Sequence, residues 1–101
     1  MKILGLTEIQ LSQIQKVLSE IPNLQRAVLF GSRATGKHKP NSDVDIALYG
    51  ELLGFGAIFD IEEELYSMGF EPELDIVLVS IIQDSRFKVA IERTAIEVFS
   101  K

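Results

Sequence analysis

Leu11, Ile14, Val17, Leu18 and Ile21 recur at three- and four-residue intervals, the spacing of one face of an α-helix. Thr7 and Gln10 precede this stripe three residues apart, a pair able to cap each other's amides in a capping box, with Leu6 and Leu11 at staple positions. Pro22 and Asn23 end the run. "RAVLFG", residues 26–31, is short, rich in branched and aromatic side chains and closes on glycine, which predicts a buried strand. Residues 32–42 are polar and predict a small turn of helix followed by a loop. In "DVDIALYG", residues 43–50, Val44, Ile46 and Leu48 alternate with Asp43, Asp45 and Ala47, a strand with one apolar face.

Helical spacing returns over 54–68, where Ile58, Ile61, Leu65 and Met68 share a face and Asp60, Glu63 and Glu64 point away. Gly69 suits a left-handed cap. "ELDIVLV", residues 73–79, sets Leu74, Ile76 and Leu78 opposite Asp75, Val77 and Val79 as a further strand. From Asp84, a candidate cap, to Phe99 the pattern predicts a last helix with Phe87, Ala90, Ile91, Ala95 and Val98 inward. The element order predicts an α/β (α+β) fold: a small mixed sheet covered by helices on one face, in a single domain over residues 1–101.

A chain of 101 residues has room for one modest core and none for a second substrate-binding domain. Its formal charge of -5 argues against a broad attractive field for nucleic acid or anionic membrane. The charge is nevertheless divided. Arg26, Arg33, Lys37 and Lys39, with His38 among them, precede a stretch from 40 to 85 that has neither lysine nor arginine. The absence of cysteine excludes disulfides and thiolate metal sites. With no signal-peptide pattern and no bilayer-length apolar run, a cytoplasmic protein is expected.

Asp43 and Asp45 lie two residues apart on a strand, so their carboxylates face one side about 7 Å apart along the backbone. Asp75 has the same parity in another strand, and if the two strands are neighbours three carboxylates meet on one sheet face. Such an oxygen-only cluster suits a hard cation such as magnesium, and two ions suit phosphoryl or nucleotidyl transfer. The plainer alternative is three aspartates facing solvent. Gly31 and Ser32 directly follow a buried strand, where glycine allows close approach of a phosphate and the serine hydroxyl and free amides can donate to it.

Gly31-Ser32, ten intervening residues and then Asp43-Val44-Asp45 resemble the signature of the DNA polymerase beta-like nucleotidyltransferase superfamily. "GSRATG" and "SDVDIALYG" together with "ELDIVLV" are similar to its minimal members, and the resemblance spans residues 25–80. It implies that Asp43 and Asp45 hold two magnesium ions, that Asp75 completes the site and acts as base, and that Gly31 and Ser32 hold the terminal phosphates. The implied reaction moves a nucleoside monophosphate from ATP or another triphosphate to a hydroxyl and releases pyrophosphate. Short members of this superfamily pair with helical HEPN proteins as toxin–antitoxin systems, some adding AMP to a partner tyrosine. The resemblance therefore implies a HEPN-type partner, a homo- or hetero-oligomer and no nucleic-acid template. Two alternatives stay open: a noncatalytic antitoxin that neutralises a helical partner by binding, and a small-molecule (antibiotic) nucleotidyltransferase subunit.

Other motifs carry less. Gly31 to Lys37 matches the start of a P-loop, but His38 stands where a magnesium-binding serine or threonine belongs. Arg33 can either meet a phosphate or lock the turn by pairing with a carboxylate. His38, Lys37 and Lys39 read chiefly as loop surface, Glu62, Glu63 and Glu64 as a solvated helix face, and Tyr49 and Tyr66 as packing residues. Val89, Ile96 and Phe99 exceed the core stripe of the last helix and divide between interface and core.

Overall fold

The computed structural model describes residues 2–39 and 41–101; Pro40, within the polar segment expected to form a loop, lies outside the described residues. The chain opens with a ribbon that the hydrophobic pattern does not signal, β1 (Lys2–Ile3) paired antiparallel with β2 (Leu6–Thr7). Leu4 and Gly5 turn it with φ of 60° and 75°, the positive values that a two-residue hairpin loop requires. Helix α1 (Glu8–Ser19) starts in the expected capping box. The Gln10 amide donates to Thr7 Oγ1 at 3.0 Å, and the Thr7 amide to Gln10 Oε1 at 2.9 Å.

Four strands form the sheet: β3 (Arg26–Phe30), β4 (Val44–Tyr49), β5 (Leu74–Leu78) and β6 (Ile96–Ser100), in spatial order β5-β4-β3-β6. β3 runs antiparallel to both its neighbours, whereas β4 and β5 are parallel and joined by the crossover helix α3 (Phe55–Ser67). Helices α1 and α3 cover one face. Ile14, Leu18, Ile46, Leu48, Ile61 and Leu65 are fully buried between them and the sheet. Burying side chains of this size stabilises by about 1.5–3 kcal/mol each, which makes this face the main core. Gly69 takes φ 84°, the left-handed conformation expected where α3 ends.

The opposite face is covered as well. Ile91 of α4 (Ser85–Thr94) is buried on Val28 and Ala47, so the side of β4 that reads as polar in sequence is apolar at its middle. The helix predicted over 84–99 therefore stops at Thr94, and residues 96–100 form β6 instead. The physical reason is tertiary. The outer edge of β3 needs partners for its backbone groups, and the last segment supplies them. A bulge between Ala27 and Val28 lets both Val98 and Phe99 pack on the main core. Of the three surplus apolar residues, Phe99 is thus core-packed, whereas Val89 and Ile96 are exposed.

Polar contacts fasten α4 and β6 to the sheet. Arg26 donates to Glu97 Oε1 at 2.8 Å and to Glu92 Oε1 at 3.0 Å, and its guanidinium lies 4.8 Å from the centre of the Tyr49 ring. Tyr49 also donates to Glu92, and burial together with that carboxylate pushes its hydroxyl up to about 12. Among the described residues, no helix is long and apolar enough to cross a membrane.

Ile46 sits centrally in this core. Ile46→Ala should lower unfolding free energy by about 2–5 kcal/mol in urea titration, as the lost methylenes leave a cavity.

Candidate active site

The topology gathers three chain segments at one edge of the sheet. β3 ends at Phe30, opposite Asp45 in the antiparallel register, and Asp45 lies beside Asp75 in the parallel register with β5. Strands β4 and β5 are thus the neighbours that the three-aspartate reading requires. Asp43 directly precedes β4 and is exposed; Asp75 is exposed and Asp45 is half-buried.

Gly31 leaves β3 with φ 77° and ψ −148°, a conformation that side chains other than hydrogen rarely adopt. Any Cβ at this position would also lie 2.5 Å from Asp45 Oδ2. The glycine therefore lets the turn pass directly over the carboxylate. Ser32, half-buried, begins the short helix α2 (Ser32–Thr35), which closes on Gly36 at φ 78°.

Arg33 points inward. It is 3% exposed and donates to the carbonyls of Leu4 at 3.3 Å and Ser42 at 2.9 Å, with no hydrogen-bond partner for Nε. The guanidinium ties α2 to the N-terminal ribbon and to the approach into β4 through main-chain carbonyls rather than a carboxylate. His38 is half-buried against Gly5 rather than solvated, while Lys37 and Lys39 are exposed.

The Asp45 carboxyl is pushed up to about 6. Burial is the largest cause, followed by the negative charges of Asp75 and Asp43 and a hydrogen-bonding contact with Asp75; the positive charge of Arg33 opposes them.

Comparison with known proteins gives this geometry a family. The family model described as Polymerase beta, Nucleotidyltransferase matches residues 12–101, nearly the whole chain and all of the candidate site. The chain belongs to this nucleotidyltransferase family. Comparison with curated protein sequences found no match. Among solved structures, a toxin–antitoxin with AMP-PNP is 25% identical at a TM-score of 0.75, over 90% of this chain and 73% of that one. A complex of tri-AMPylated Shewanella oneidensis HEPN toxin with MNT antitoxin is 20% identical at 0.68, over 93% and 72%. An MntA–HepT toxin–antitoxin is also 20% identical at 0.68, over 94% and 74%. The two less identical likenesses are likenesses of fold.

The candidate site has the donor chemistry for a hard divalent ion: oxygen ligands only, with Asp45 raised by burial and then by neighbouring negative charge, which a cation would offset. Among the described residues, no three acidic or histidine side chains stand already converged at ligand spacing. Asp43 is nonetheless close enough for its charge to act on Asp45.

Sequence reasoning did not find Thr94 or Phe87 at this edge. The Gly31 amide donates to Thr94 Oγ1 at 3.2 Å, and the ring of Phe87 meets that of Phe30 edge-on at 6.1 Å. The one available signal was the β-branched alternation of Thr94, Ile96 and Val98, which favours a strand over the final turns of a helix.

Because Asp45 holds its proton more tightly in the folded than in the unfolded chain, its contribution to stability is greatest at low pH. That contribution declines as pH rises from about 4 to about 6. In urea unfolding without divalent cations, Asp45→Asn should be more stable than the wild type at pH 7.5, with the difference shrinking toward pH 4.

Proposed function

We propose that the chain, acting as one minimal nucleotidyltransferase domain, moves AMP from ATP to a hydroxyl of a HEPN-type helical partner, with a tyrosine as acceptor, and so serves as its antitoxin. The observation that carries the reading is the register of three strands. It lines Asp45 up between Asp75 and the Gly31–Ser32 turn, so that a carboxylate pair and a candidate phosphate-binding turn share one sheet edge. Family membership supports transfer chemistry. The three similar solved structures described above are toxin–antitoxins, one with AMP-PNP and one with an AMPylated HEPN toxin, which supports a HEPN-type partner and an adenine nucleotide.

In this reading Gly31 gives the triphosphate close access to the turn, and Ser32 donates its hydroxyl to the outgoing phosphates. Asp43, Asp45 and Asp75 would hold two magnesium ions. When bound, magnesium offsets the charge of the triphosphate and of departing pyrophosphate. Asp75, the exposed member of the Asp45–Asp75 pair, receives the proton of the acceptor hydroxyl as its oxygen forms a bond to the α-phosphorus. The bond from that phosphorus to the oxygen bridging the β-phosphate breaks, and pyrophosphate carries away the electron pair. Arg33 contributes by holding Leu4 and Ser42, and with them the start of β4, in place.

The test is transfer from α-phosphate-labelled ATP in the presence of magnesium, with and without the co-purified helical partner. Label should appear on the partner with pyrophosphate released. Asp45→Asn should reduce the rate at least on the order of a hundredfold, the scale for losing one essential electrostatic group. A tight complex that never acquires label would instead favour neutralisation by occlusion.

A further inference from the structure

The register of β6 brings α4 to the phosphate turn. Ile96 pairs with Leu29 and Glu97 with Val28, so the antiparallel pairing extended by two residues sets Thr94 opposite Gly31. There its hydroxyl oxygen accepts the Gly31 amide at 3.2 Å. The same oxygen lies 3.2 Å from the Ala90 carbonyl and 3.4 Å from that of Ile91, so the hydroxyl proton turns back into α4 and a lone pair is left directed at the amide. One residue earlier, Phe30 is held edge-on by Phe87 of the same helix. Two successive residues of the strand-to-turn junction are thus gripped by α4.

Gly31 is where such a grip matters. Glycine has wide backbone freedom, and at this position no side chain restrains the peptide. The geometry that carries the chain over Asp45 Oδ2 is held by hydrogen bonding and packing instead. We infer that Thr94 is a positioning residue for the Gly31–Ser32 turn: its hydroxyl fixes the Gly31 peptide so that Ser32 faces the terminal phosphates of a bound nucleoside triphosphate. The inference rests on the nucleotide-binding reading given above. It adds that the grip on the triphosphate is set from α4, outside the motif that makes the contact.

The experiment is calorimetric binding of α,β-methylene-ATP with magnesium to the full chain, with steady-state transfer kinetics alongside. Thr94→Val keeps the side-chain shape and removes the acceptor; Thr94→Ser keeps the acceptor. Loss of one hydrogen bond predicts about a two- to tenfold weaker affinity and a matching rise in KM for ATP in Thr94→Val, with kcat changed less than KM. Thr94→Ser should restore wild-type affinity. Equal binding by wild type and Thr94→Val would overturn the inference and leave the nucleotide reading standing. So would equal weakening by both variants, which would assign the effect to the methyl group. A folded wild type that binds no nucleotide would overturn the reading itself, and the inference with it. Should Thr94→Val fail to fold, hydrogen exchange of the Gly31 amide in the wild type decides: protection supports the grip, and exchange at the unprotected rate overturns it.

Discussion

Everything at the candidate site depends on the parallel pairing of β4 with β5, which sets Asp45 beside Asp75. Two adjacent carboxylates at the start of neighbouring strands repel each other, and partial burial makes the ionised form of Asp45 costlier still. The rest of the fold holds them there. Parallel strands cannot be joined by a tight turn, so the chain needs a crossover, and α3 provides one whose apolar face is buried with α1 on the sheet. Core burial on that face thereby maintains an unfavourable electrostatic arrangement at the sheet edge, the arrangement a divalent cation would relieve.

The second constraint is the exit of β3. The chain must leave the strand, clear the Asp45 carboxylate and start α2 within two residues, which only glycine at position 31 allows. The turn is supported from both sides. Arg33 reaches inward to the carbonyls of Leu4 and Ser42, tying the N-terminal ribbon to the approach into β4. From the other face α4 holds Phe30 and Gly31 through Phe87 and Thr94. Arg26, Glu92, Glu97 and Tyr49 then fix α4 and β6 relative to the two central strands. Because these last contacts are largely exposed, each contributes little to stability; their effect lies in orientation.

Much of this was legible in the chain. The capping box of α1, the apolar stripes of α1 and α3, and strands β3, β4 and β5 follow from local spacing, because each element buries a face whose period is its own. The aspartate parity and the Gly31-Ser32 motif were equally visible, being matters of identity and spacing. Residues 95–99 are ambiguous in sequence because Ala95 and Val98 fit a helical period as readily as Ile96 and Val98 fit the alternation of a strand. The β-branched alternation of Thr94, Ile96 and Val98 is too short to outweigh the helical stripe before it; the open edge of β3 decided between the two patterns. The role of Arg33 was ambiguous for a similar reason, since a guanidinium beside a phosphate-binding motif meets a phosphate or the backbone according to where the chain folds back.

The sequence by itself determined which residue types stand at which intervals: a glycine where no side chain fits, a serine after it, carboxylates of matching parity, and helices with one apolar face. Only the tertiary structure decided which strands are neighbours, that α4 ends at Thr94, that Arg33 turns inward, and that a threonine more than sixty positions away along the chain holds the Gly31 amide. The difference is physical. Periodicity and backbone sterics act over a few residues and leave their trace in local order, whereas strand register and hydrogen bonds between distant segments arise from burial of the whole sheet.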